Sequence, residues 1–92
     1  MSEMSQSSEI QLRVFAGIQE SLGQSSVGVV VWDGVTPAQI KDEVARHYPH
    51  AAALVRASRV ACNHTFVEDK LRLELSQILR DELALIPPVS GG

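Results

Sequence analysis

One stretch sets the terms for the whole chain. "DGVTPAQIKDEVARHYP", residues 33–49, carries both the start and the stop signals of an amphipathic helix. Thr36 suits the N-cap, Pro37 the first helical position, where a missing N–H costs nothing, and Gln39 the third position of a capping box. Ile40 and Val44 lie one turn apart with Tyr48 beyond them, giving an apolar stripe. Lys41, Asp42, Glu43 and Arg46 are expected on the solvent side, with Asp42 and Arg46 placed to pair at i,i+4. Pro49 ends the helix. A single stripe of this kind must be covered by something, and the flanking segments read as strands.

"EIQLRVF", residues 9–15, alternates: Ile10, Leu12 and Val14 on one face, Gln11, Arg13 and Phe15 on the other. Phe15 is out of place, a large aromatic on the face that should meet water. "AGIQESLGQSS" has two glycines and small polar residues and reads as the connection of a hairpin-like pair. Residues 27–32, "VGVVVW", are β-branched and apolar and suit the second strand. After the helix, "PHAAALVRA" predicts one or two further helical turns and "SRVACN" a third strand. Asn63 and His64 make a turn into the short return strand "TFVE". Residues 70–79 fit both periods: Leu71, Leu73 and Leu75 alternate, while Leu71, Leu75, Ile78 and Leu79 share a helical face. The reading is a short strand or turn, then a helical turn over 76–79. "DELALIPP" is the last strand, with Leu83 and Leu85 inward and Glu82, Ala84 and Ile86 outward. The order predicts an α+β fold, a mixed sheet with one main helix across one face. Residues 1–8 are Ser-rich and expected to be disordered, 9–86 form the domain, and 87–92 are an extended tail.

Ninety-two residues make one domain, since so short a chain cannot divide its apolar residues between two cores. The net charge of −3 and the scattered placement of eight Lys and Arg speak against nucleic acid and acidic membranes. No apolar run approaches the ~20 residues of a spanning helix, and "MSEMSQSS" lacks the basic and apolar regions of a secretory signal, so the cytoplasm is the expected location. Cys62 is the only cysteine and reads as a small apolar strand residue rather than a sulfur relay. His47 and His50 are split by Pro49 and do not suggest a metal site; Asp81 and Glu82 are neighbours that a strand would point to opposite faces, so they are not paired carboxylates.

That leaves the end, "IPPVSGG". Pro87 and Pro88 stiffen the chain, Val89 and Ser90 continue it, and Gly91 and Gly92 have no side chain to keep a reactive centre away. An arm that is first stiff and then slim can enter a tunnel in another protein. On the glycines alone, a flexible end is an equal reading.

"LRVFAGIQESLG", "VTPAQIKDEVARHYP", "VACNHTFV" and above all "DELALIPPVSGG" together resemble the ubiquitin-like β-grasp sulfur carriers of the MoaD/ThiS family, in particular its molybdopterin synthase branch. The resemblance covers residues 9–92. Leu79, Arg80 and Asp81 depart from the Asp-Gly-Asp common before the last strand, and Gln19 stands where an Arg often precedes Glu. The resemblance implies a β-grasp fold and a reactive Gly92 carboxylate. An E1-like, MoeB-like enzyme would adenylate it with ATP, a sulfur donor would convert the adenylate to a thiocarboxylate, and a MoaE-like large subunit would receive the sulfur for cyclic pyranopterin monophosphate, within a heterotetramer. No permanently bound cofactor is implied. Phe15, Phe66 and Ile86 would form the docking patch; the other reading is that residues 70–79 cover Phe15 and Ile86. A carrier for thiazole or cysteine synthesis, and a modifier joined to other proteins through Gly92, are the alternatives.

Overall fold

The computed structural model describes residues 6–88. The elements run β1 (Ser7–Val14), α1 (Ala16–Leu22), β2 (Ser26–Trp32), α2 (Pro37–His47), a 3-10 turn (Pro49–Ala51), α3 (Ala52–Ala57), β3 (Arg59–Cys62), β4 (Thr65–Val67), α4 (Leu75–Arg80) and β5 (Leu83–Ile86). The five strands form one mixed sheet in the order β2-β1-β5-β3-β4. β1 pairs antiparallel with β2 and parallel with β5, while β3 is antiparallel to both β5 and β4. The last strand therefore fills the centre of the sheet.

Alternation decides the two faces. Leu12 and Val14 of β1, Val27, Val29 and Val31 of β2, Val60 of β3 and Leu83 and Leu85 of β5 are buried on one side. Ile40 and Val44 of α2, Val55 of α3 and Ile78 of α4 complete the core against them. The Thr36 capping box forms as expected: Gln39 N–H donates to Thr36 Oγ1 (3.2 Å), and Thr36 N–H donates to Gln39 Oε1 (2.9 Å).

Several expectations change. The "AGIQESL" connection is a helix, not an irregular loop: Ile18 is fully buried, and Gly23 ends the helix in the left-handed region (φ 72) with its N–H on Gln19 O. Ile18 and Leu22 at i,i+4, followed by glycine, were the signal for it. Ser7 and Ser8, expected in the disordered tail, pair with Trp32 and Val31 because β2 is long enough to hold them; residues 1–5 lie outside the described range. Residues 70–79 do divide as expected, with Leu73 bridged to Val35 and a helix that extends over Leu75–Arg80.

Lys41 is not on the solvent side. It is buried to 6% exposure, and its ammonium donates to Ser58 O (3.0 Å), to Arg56 O (3.4 Å) and to Asp69 Oδ2 (3.1 Å). A lysine at this depth is tolerated because all three of its protons find acceptors. α3 and the loop after β4 close over a helix flank that the two-faced picture had left to water. Arg46 pairs with Glu43 (2.7 Å) rather than with Asp42, which faces Arg56 instead at 3.5 Å.

Two substitutions test this packing. Leu85→Ala, at a fully buried site in the central strand, should lower unfolding stability by about 2–5 kcal/mol in chemical denaturation. Lys41→Met, which keeps the stem and removes the ammonium, should cost about 1–3 kcal/mol because the buried Ser58 carbonyl, the part-buried Arg56 carbonyl and Asp69 lose their donor; an unchanged midpoint would show that water replaces it without loss.

Candidate functional site

The face of the sheet opposite the core is assembled from one cross-strand row. Arg13 of β1 sits opposite Ala84 of β5, Ala84 opposite Ala61 of β3, and Ala61 opposite Phe66 of β4. The two alanines at the centre of the row leave a depression of about 230 Å³, lined by Phe15, Ala61, His64, Phe66, Glu82, Ala84 and Ile86. Small side chains in the middle strands and large ones at the flanks make a concave surface from a sheet that would otherwise be flat. No residue of 70–79 lines it, so that segment does not cover Phe15 and Ile86.

Phe15 takes its place through the backbone. It follows β1 as the N-cap of α1 in extended conformation (φ −136, ψ 165), which keeps its ring on the face expected from the alternation. Phe66 is half exposed (50%), an unusual state for a phenylalanine in a strand. Each ring has a cation above it, Arg13 at 5.4 Å from the Phe15 centroid and Arg59 at 4.1 Å from that of Phe66. Arg13 also donates to Glu82 Oε2 at 2.6 Å. Asn63 and His64 form the two-residue β3–β4 turn with φ of 55 and 73, the sign a two-residue hairpin turn requires, and this brings His64 to the rim.

The structure thus brings together Phe15, Phe66 and Ile86 of the expected patch. Ile86 ends β5 opposite Arg59, and the chain passes directly into half-buried Pro87 and exposed Pro88. Val89, Ser90, Gly91 and Gly92 lie outside the described residues. The sequence reading missed Ala61, Ala84, Glu82 and His64 as lining residues, and the two arginines as ring partners. The outward set Glu82, Ala84 and Ile86 held the signal for two of them, Glu82 and Ala84; Ala61 follows from Val60 being inward.

Cys62 lies outside this depression, part-buried, with its Sγ 3.7 Å from Asp81 Oδ2. Burial pushes the thiol pKa up, and the neighbouring Asp81 carboxylate pushes it further, so the position is opposite to that of an activated nucleophile. His47 contacts Glu43 (3.4 Å) and His50 the Ser21 carbonyl (3.2 Å). Among the described residues no three His, Cys, Asp or Glu gather as a metal site, and no helix is long and apolar enough to cross a membrane.

The ThiS family model matches residues 12–92 of the chain. The molybdopterin synthase sulfur carrier subunit of Arabidopsis thaliana is 30% identical over 91 residues, covering 99% of this chain and 91% of that protein. Its counterpart in Dictyostelium discoideum is 26% identical over 87 residues, with 94% and 99% covered. The crystal structure of SAMP1 from Haloferax volcanii matches with a TM-score of 0.68 at 26% identity, over 92% of this chain and 100% of that one. The fold is the ubiquitin-like β-grasp, in agreement with the sequence reading.

The state of Cys62 gives a direct test. Alkylation by iodoacetamide at pH 8 should be several-fold slower than for a free thiol, and Asp81→Asn should speed it up, since removing the carboxylate lowers the thiol pKa and raises the thiolate fraction. Equal rates in the two proteins would show that Asp81 has no hold on the sulfur.

Proposed function

The chain belongs to the ThiS family, and on that footing we propose that it is the sulfur-carrying small subunit of molybdopterin synthase, a donor rather than a free-standing catalyst. The observation that carries the reading is the junction at Ile86. This residue belongs to the apolar depression and is followed at once by Pro87 and Pro88, so a partner that covers the depression also receives the tail. Concave apolar surface with charged flanks is what a protein interface requires.

The chemistry runs through Gly92. A carboxylate oxygen of Gly92 attacks the α-phosphorus of ATP in an E1-like, MoeB-like partner and displaces pyrophosphate, giving an acyl-adenylate. Hydrosulfide-level sulfur attacking the acyl carbon expels AMP and gives the thiocarboxylate directly. A persulfide donor expels AMP to give an acyl disulfide, whose S–S bond a thiol reductant then cleaves, the thiol leaving as the oxidised disulfide and the acyl sulfur as the thiocarboxylate. The adenylate is needed because a carboxylate is otherwise inert to nucleophiles, and the sulfur product is a better nucleophile than the oxygen it replaces. Docked on a MoaE-like large subunit in a heterotetramer, the tail delivers sulfur to cyclic pyranopterin monophosphate. The partner positions the substrate and supplies the acid–base groups; Gly91 and Gly92 allow the backbone to reach it, with Val89 and Ser90 spanning the tunnel.

Intact mass after co-expression with the activating enzyme checks the reading. Exchange of one oxygen for sulfur at Gly92 is expected, whereas lysine-linked adducts would identify a protein modifier, and sulfur loading without capture of a MoaE-like subunit would identify a carrier for thiazole or cysteine synthesis. Deletion of Gly92 should abolish sulfur transfer with the melting temperature unchanged; a deletion protein with full activity would sink the proposal. Phe66→Ala should weaken docking by about tenfold or more, the scale of a well-packed interface aromatic, while retaining the fold because the ring is half exposed.

A further inference from the structure

The sheet has a second unpaired feature, away from the depression. β2 is an edge strand, and its seven residues, "SVGVVVW", contain no charge and no proline. Edge strands are normally blunted by lysine, proline, a bulge or a cover, because their free N–H and C=O groups template pairing with another chain. None of these devices is present within β2.

Which groups are free follows from the register. Val14 N–H donates to Ser25 O, so the 14/25 pair is hydrogen-bonded, and the alternation of an antiparallel ladder makes 12/27, 10/29 and 8/31 hydrogen-bonded as well. The backbone groups of Ser26, Gly28, Val30 and Trp32 therefore point away from β1. At the ends they are partly used: Gln24 Nε2 donates to Ser26 O (2.9 Å), and Val35 N–H donates to Trp32 O (3.1 Å). At Gly28 and Val30 no described group engages either the N–H or the C=O. Val30 also exposes 47% of its surface, on the face away from the core.

We propose that β2 pairs antiparallel with β2 of a second copy of this chain, about a two-fold axis at Val29. The strand is self-complementary in that register. Val29 faces Val29, Val27 faces Val31, Ser26 faces Trp32, and Gly28 faces Val30 twice. Inward valines meet inward valines, so the two cores join along one side of a continuous sheet. On the other side each exposed Val30 lies beside a glycine of the partner, where the space is shared only with the movable ends of two β1 side chains, the Glu9 carboxylate that overlies Gly28 and the Gln11 amide at ordinary contact distance. All four free backbone groups at Gly28 and Val30 are satisfied in both copies, and no like charges within the strands are brought face to face. A foreign strand could make the same backbone bonds, but a second copy supplies the match of glycine to valine at both positions at once, by symmetry. A contact of seven residues per copy is short beside the roughly 1,000 Å² expected of a stable interface, so the dimer is weak and depends on concentration. It leaves the outer-face depression and the end of β5 clear, since β1 separates β2 from β5.

The test is a register-specific cross-link in the full chain, in a Cys62→Ser background. Val29→Cys should give a disulfide-linked dimer under mild oxidation, because position 29 meets itself. Val30→Cys alone should not, while a mixture of Gly28→Cys and Val30→Cys proteins should cross-link to each other. Sedimentation equilibrium of the wild-type chain should show mass rising toward a dimer with concentration. Val30→Pro, which removes an outward N–H, should hold it at the monomer. Equal cross-linking of all single cysteines, no cross-link at position 29, or a wild-type chain that stays monomeric up to millimolar concentration would overturn the proposal. So would a dimer that Phe66→Ala abolishes and Val30→Pro does not, since that would place the interface on the outer-face depression.

Discussion

The parallel pairing of β1 with β5 is the constraint from which the rest follows. Parallel neighbours cannot be joined by a hairpin, so the whole of the intervening chain must run between them before the sheet can close. Arg13 and Glu82, 69 positions apart, meet at 2.6 Å only because β5 has entered the gap between β1 and β3. Leu83 and Leu85 then fill the middle of the core, and the chain leaves from the centre of the sheet rather than from a loose edge. Because β5 is paired on both sides, the chain has a fixed point of departure at Ile86.

The same insertion creates the outer-face depression. Ala84 is brought against Ala61, and neither strand alone would leave a hollow there. Phe15, Phe66 and Ile86 come from three different elements and are held by the backbone: an extended N-cap, a short edge strand and the end of β5. The arginines over the two rings are already desolvated on one side by the aromatic faces, which lowers the cost of covering them by a partner. Arg13 is neutralised within the domain by Glu82, whereas Arg59 has no carboxylate partner among the described residues. The charge at the two ends of the depression is therefore unequal.

Stability and presentation are separated in this domain. The core valines and leucines, the Thr36 cap and the Lys41 node all lie on the helix side of the sheet or behind it. The outer face contributes little burial of its own. Changes to the depression or the tail can therefore alter recognition with small effect on folding, and core changes do the reverse.

Local chemistry determined much of this protein. The Thr36–Gln39 capping box, the stop at Pro49, the alternation in "EIQLRVF" and "DELALI" and the Asn63–His64 turn are short-range features, and each appears where the residues put it. The resemblance carried by "IPPVSGG" and the strands before it pointed to the family. What the sequence left open depended on contacts made at a distance. Residues 16–22 form a helix because Ile18 finds a core to enter, and Lys41 is buried because the carbonyls of Arg56 and Ser58 and the carboxylate of Asp69 converge on it from 15 or more residues away. The alanine floor of the depression and the bare edge of β2 are likewise properties of strand order. Periodicity fixes which face of a strand a residue occupies, but only tertiary structure decides which strands stand side by side.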